Sequence, residues 1–223
     1  MSGVDWKVAT GADAISATYE PPLSGEDAAV FVCAHGAGGN MSDRGVLATA
    51  RAVREYGIGV VRFNFPYTEK KSGRPDPMPR LMETIDAVVT RIRSELAPPC
   101  VIIGGRSMGG RAASMLAADG FGADGLLLLA YPLHPAGQPE KRRDAHLPRI
   151  RMPVLCCNGT RDPLCTRALM EHALTTVTAP WSMRWIDGAD HSFHVLKSSG
   201  RTDADVMEQI GLAARAWCDS LRR

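Results

Sequence analysis

The 223 residues, 45% hydrophobic and 22% charged, have the length and composition of one soluble globular unit that can bury a full core. A formal charge of +2 is too small to point to a nucleic-acid or membrane partner. No run approaches the ~18 apolar residues of a membrane span, and no apolar stretch follows a basic N-terminus, so a cytoplasmic protein is expected. The six cysteines form no C-x-x-C pair and no zinc-ligand spacing. They read as reduced core residues.

In chain order, Asp5 to Thr10 and Ala14 to Tyr19 read as two edge strands, followed by the turn formers Pro21-Pro22 and Ser24-Gly25. Ala28 to Ala34 is a continuous apolar run, the mark of a strand buried on both faces. It ends in the glycine-rich loop His35-Gly36-Ala37-Gly38-Gly39-Asn40. A helix follows from Ser42, taken as its N-cap, to Tyr56, with Gly57 as its stop. Ile58 to Phe63 is the next buried strand, and Pro66 to Met78, with its prolines and charges, reads as an exposed loop.

Pro79 opens a helix with Leu81, Ile85, Val88, Ile92 and Leu96 at helical spacing, closed by Pro98-Pro99. Val101 to Ile103 is a strand, and the small residues from Ala112 to Ala118 form a helix. Gly125 to Ala130 is another strand; Tyr131 to Met152 is a polar, basic excursion. Pro153 to Cys157 is a strand, Pro163 to Thr175 a short helix, and Ser182 to Ile186 the last strand. The final helix is amphipathic, with Val206, Ile210, Ala213, Trp217 and Leu221 on one stripe. Strands alternating with helices predict an α/β fold, a mostly parallel central sheet covered on both faces, as a single domain over residues 1–223.

Between strand and helix stands Gly104-Gly105-Arg106-Ser107-Met108-Gly109-Gly110. A strand, a sharp turn and a helix with one hydroxyl at the apex make the G-x-S-x-G nucleophile elbow, where Ser107 is exposed on strained backbone. A serine of ordinary acidity attacks poorly, so a base must take its proton and a carboxylate must orient that base. In chain order these are Asp162, at the carboxyl end of the strand Pro153 to Cys157, and His191, in the loop after the last strand. Both fall on the sheet edge where Ser107 emerges. The rival roles are Asp162 as a cap of the helix at Pro163, and His194 as the base. The N–H groups of Met108 and Ala37 are placed to hold an oxyanion, and His35 to tie down the glycine loop. His134 and His146 have no partner that the sequence identifies.

On these motifs the chain resembles an α/β-hydrolase from Ala28 to the last helix. More narrowly it is similar to the small dienelactone-hydrolase-related branch whose elbow reads G-G-[KR]-S-M-G, and which carries the segment found here as Leu133-His134-Pro135-Ala136-Gly137-Gln138-Pro139-Glu140. That branch includes bacterial hydrolases and eukaryotic relatives that are subunits of a chromatin-modifying assembly. Dienelactone hydrolase itself uses cysteine where this chain has Ser107, so its lactone chemistry does not carry over. Large lids in the fold are inserted where residues 131–152 stand here, and this excursion is too short for one.

The resulting expectation is a serine hydrolase without cofactor or metal, acting on a small-molecule ester or thioester. The alternative is an interaction protein that kept the fold and lost turnover. Arg106, beside the nucleophile and one turn from Arg111, is either a binder of substrate carboxylate or phosphate, or half of a structural ion pair with Asp76 or Glu83.

Overall fold

The computed structural model describes residues 3–24 and 29–221. Gly25 of the expected turn and Ala28 of the expected strand lie outside them. The strands are β1 (Val4–Thr10), β2 (Asp13–Glu20), β3 (Val30–Ala34), β4 (Gly59–Phe63), β5 (Val101–Arg106), β6 (Gly125–Leu129), β7 (Val154–Gly159) and β8 (Trp181–Ile186). The helices are α1 (Arg44–Glu55), α2 (Pro66–Glu69), α3 (Met78–Glu95), α4 (Met108–Ala118), α5 (Arg167–Leu174) and α6 (Asp203–Leu221). All eight strands form one sheet in the order β1-β2-β4-β3-β5-β6-β7-β8. Only the β1–β2 and β2–β4 pairs are antiparallel.

Period-two alternation divides the core into two layers. Val30, Val32, Ile103, Leu126 and Leu128 join one apolar cluster with residues of α3 and α4. Phe31, Cys33, Ile102, Leu127 and Leu129 join the other with residues of α1 and α6. Strands with helices on both faces have no solvent side, which is why they read as unbroken apolar runs. β1 and β2 instead alternate, with Trp6, Val8, Ile15 and Ala17 buried and Asp5 and Lys7 exposed.

Three expectations are corrected. β2 is no edge strand: it pairs with β4 from Ala17↔Phe63 to Glu20↔Val60, leaving β1 and β8 outermost. The stretch from Pro66 does not begin as an exposed loop but as α2, with Pro66 and Tyr67 buried. Proline suits a helix's first position because the N–H it lacks would have no partner there, and the Tyr67 N–H donates to the Asp76 carboxylate at 2.8 Å. The N-cap of α1 is Asp43 rather than Ser42, and Asp43 makes no side-chain cap bond.

Residues 131–152 pack down on α4. Tyr131, Leu133, Leu147 and Ile150 are buried, the Tyr131 hydroxyl donates to the Arg143 carbonyl at 2.7 Å, and His146 Nε2 lies 2.7 Å from Ser114 Oγ on α4. His134, on the same excursion, accepts the Thr166 N–H on Nε2 at 3.1 Å. Both histidines thus have structural partners.

Two predictions follow from this packing. A Cβ on Gly211 of α6 would lie 2.5 Å from the Ala52 carbonyl oxygen of α1 and 2.6 Å from the Tyr56 ring. Alanine gains about 1 kcal/mol of helix propensity over glycine, but forcing it against backbone costs about 3 kcal/mol. Gly211→Ala therefore lowers the melting temperature by several degrees in calorimetry, the reverse of the propensity expectation. The second concerns acid. Burial, then Arg111 and Arg149, push the His146 imidazole down from 6.5 to about 4. Between those values the unfolded chain binds the proton and the folded chain does not, so stability is lost as pH falls from about 6.5 to about 4. Denaturant titrations across that window should show a shallower loss in His146→Phe.

Candidate active site

β5 runs into Ser107 and α4 begins at Met108, leaving no residue of slack. Ser107 takes φ 49° and ψ −116°, a region that a residue with a side chain adopts only under strain. Crowding dictates the flanking glycines: a Cβ on Gly105 would lie 2.2 Å from the Ala34 carbonyl oxygen, and one on Gly109 2.6 Å from that of His35. Helix, strand and loop approach as closely here as bare backbone allows.

The other two groups arrive on zipped loops. After β7, the N–H groups of Thr160 and Arg161 donate to Ile186 and Ala189. Farther along, the Asp190 carboxylate accepts the N–H groups of Ser192 and His194 at 2.8 and 3.0 Å, which curls residues 190–194 into a tight turn. Phe193 has φ 65° within it and is buried. Asp190 therefore shapes the loop and does not orient the imidazole.

This places His191 Nδ1 2.8 Å from Asp162 Oδ2 and His191 Nε2 2.9 Å from Ser107 Oγ. A carboxylate only accepts, so the proton sits on Nδ1 and the Nε2 lone pair faces the hydroxyl. The Asp162 side chain is wholly buried and also accepts the Leu164 N–H at 2.8 Å and an Asn158 amide proton at 3.3 Å. It does not cap a helix at Pro163, because α5 starts only at Arg167. His194 points elsewhere, its Nδ1 3.0 Å from Asp203.

The loop after β3 borders the same space. His35 Nδ1 donates to the Gly36 carbonyl at 2.8 Å, and Nε2 accepts the Phe65 N–H at 3.2 Å. Its position between these partners ties the loop down as expected, and burial pushes its imidazole toward the neutral form. Among the described residues, no turn, loop or cap bond uses the N–H of Ala37 or of Met108. Ala37, Ser107 and His191 share a cleft of about 880 Å³ with Arg106, Phe193 and Met207, and no residue of 131–152 lines it.

Arg106 departs from the expected ion pair. Asp76 is bound to the Tyr67 N–H and Glu83 to Arg80. Counting alternately from Ile102 along β5, Arg106 falls on the α1–α6 face, whereas α3, which carries Glu83, covers the other. Its guanidinium lies over the Phe193 ring, 5.1 Å from the centroid, and Nη2 is 3.5 Å from the His191 carbonyl. Arg111 does not join it: that side chain acts on Tyr131, Arg143 and His146, at the excursion. Sequence reasoning missed Asn158, whose amide bonds both the Tyr131 backbone and Asp162. Its signal was a lone amide directly after the apolar run Val154-Leu155-Cys156-Cys157.

A family model described as "Alpha/beta hydrolase domain" matches residues 27–219. Solved structures of the same fold include a serine hydrolase homologue from Coxiella burnetii, 21% identical with a TM-score of 0.78 over 96% of this chain and 98% of that one. An α/β serine hydrolase without lid from Xanthomonas campestris is 21% identical, with a TM-score of 0.75 over 96% and 94%. Dienelactone hydrolase from Anabaena variabilis is 18% identical, with a TM-score of 0.75 over 97% and 96%. The match of the family model over most of the chain places this protein in the α/β-hydrolase domain family.

Proposed function

We propose that the protein is a serine hydrolase that cleaves carboxylic esters or thioesters through an acyl-enzyme on Ser107. The observation that carries this reading is the continuous chain from Ser107 Oγ through His191 to the buried Asp162 carboxylate, with links of 2.9 and 2.8 Å. Ser107 Oγ attacks the substrate carbonyl carbon while its proton passes to His191 Nε2. The carbonyl electron pair moves onto oxygen, and the N–H groups of Met108 and Ala37 receive that charge at the start of α4, where the helix dipole adds to them. Asp162 stabilises the imidazolium that has formed and keeps its ring in place. As the carbonyl reforms, the alkoxide or thiolate leaves with the proton from Nε2. Water then repeats the sequence, His191 taking its proton, and the carboxylic acid departs as Ser107 recovers its own. Strain at Ser107 favours this reading over a purely structural protein, since a scaffold gains nothing from holding a serine at φ 49°.

A fluorophosphonate should add a single mass increment to the peptide that contains Ser107, and Ser107→Ala should lose both the label and hydrolysis of 4-nitrophenyl and CoA esters. Full labelling of the alanine variant would refute the assignment. Histidine roles separate by kinetics. His191→Ala and Asp162→Asn should each lower kcat by about 10⁴-fold. His194→Ala should change it less than about threefold, because it breaks only an exposed pair with Asp203. Comparable losses at both histidines, with folding intact by circular dichroism, would contradict the scheme.

A further inference from the structure

Arg106 lines one corner of the cleft and is in no ion pair among the described residues. Arg106 packs against the first turn of α1, where a Cβ on Gly45 would lie 3.2 Å from the guanidinium carbon. Its Nη1 is buried and has no acceptor. The acids around it, Asp190, Asp162 and Asp43, act only through space, and each is engaged elsewhere. Asp190 holds Ser192 and His194, Asp162 holds His191 and Leu164, and Asp43 is turned back onto the backbone and amide of Asn40 at 2.9 Å.

That turn of Asp43 also leaves α1 without a side-chain cap. Asp43 keeps its charge at that helix start, so the guanidinium group left without an acceptor, not the dipole, is what marks the corner. Arg44, exposed at the mouth of the cleft, appears in no ion pair among the described residues, and the Asp203 carboxylate beside it is bound by His194 and the Val195 N–H. The ring of Phe193 offsets part of the cost of the buried cation. The partly buried guanidinium still has an N–H group, on Nη1, with no acceptor.

We propose that this corner is a subsite for an anionic group on the substrate, a carboxylate or a phosphate, and that Arg106 makes the protein prefer acidic esters to neutral ones. The proposal rests on the serine-hydrolase reading for its substrate, and on the cleft alone for its anion. A substrate that spans Ser107 and Arg106 would place its charge toward α1 and its scissile carbonyl over Ser107. Through Nη2 and the Phe193 ring, Arg106 also touches the His191 loop, so a purely positioning role is the competing account.

The test compares kcat/KM for mono-4-nitrophenyl succinate with that for its methyl ester, and for 4-acetoxybenzoate with its methyl ester. The first pair carries the charge on the acyl side and the second on the leaving group. In the wild-type protein at least one acidic member should be preferred by tenfold or more. In Arg106→Gln that preference should fall by about tenfold to a hundredfold, and Arg106→Lys should keep part of it, having the charge without the planar fork. Taking the ratio within each variant cancels any common loss through the His191 loop. Wild-type ratios near one, or ratios that Arg106→Gln leaves alone, overturn the proposal, and the wild-type arm stands even where a variant fails to fold. Succinate and inorganic phosphate as inhibitors of neutral-ester hydrolysis identify which anion the corner favours. Calorimetry of monomethyl succinate on Ser107→Ala, with and without Arg106→Gln, separates the two readings. Arg106-dependent binding without hydrolysis of any ester by the wild type would leave the subsite standing and remove the hydrolase.

Discussion

A buried carboxylate holds this site together. The Asp162 side chain is withdrawn from water, and an ionised group in that position is tolerated only where donors surround it. Leu164 N–H, His191 Nδ1–H and the Asn158 amide supply three, two from β7 and the loop after it and one from the loop after β8. Asn158 is tied in turn to both backbone groups of Tyr131, just past β6. The ends of β6 and β7 and the loop after β8 thus converge because one charge requires all of them. Loss of any donor would loosen the others, since each is fixed by what it shares with the carboxylate.

The elbow adds a different constraint. Ser107 is held at φ 49° by strand and helix that meet without a spacer, at a cost of about 1–3 kcal/mol for one residue. Against a total stability of about 5–15 kcal/mol this is tolerable only with a well-packed sheet beneath it. β5 meets that condition, with β3 and β6 paired along its flanks and apolar clusters on both faces. Close approach also explains why substitution at Gly105 or Gly109 has no local remedy: the nearest atoms in the way are backbone of Ala34, at the end of β3, and of His35 just after it.

Much of this was legible in the residues because the physics there is local. Unbroken apolar runs marked strands buried on both sides, and Gly105 and Gly109 around Ser107 marked a crossing that no side chain fits. Asp162 and His191 were readable from their places after strands. What stayed hidden was set by long-range registry. Prolines and charges from Pro66 to Met78 looked like a loop because the partner that organises the segment, Asp76 on the Tyr67 N–H, appears only once the chain is folded. The isolated hairpin look of β1 and β2 concealed the pairing of β2 with β4. Of the two roles open to Arg106, the ion pair with Glu83 is at odds with strand alternation, which from Ile102 assigns Arg106 to the α1–α6 side, away from α3.

That face assignment has a consequence for how the molecule divides its work. On the α3–α4 side the sheet is closed over, and the 131–152 excursion adds to the seal through Leu147, Ile150 and the Ser114–His146 contact. On the other side α1 and α6 pack closely at Gly211, where Ala52 and Tyr56 sit against α6. Nearer the sheet edge the first turn of α1, Ala204 and Met207 stand back and line the cleft. A cleft without a lid cannot exclude water by closing, so selectivity must come from fixed groups on its walls. The walls nearest Ser107 carry Arg106 and Arg44 beside Asp43 and Asp203, so charges of both signs stand there at fixed places. An open site of this kind has the placement of such groups, rather than enclosure, with which to select a substrate.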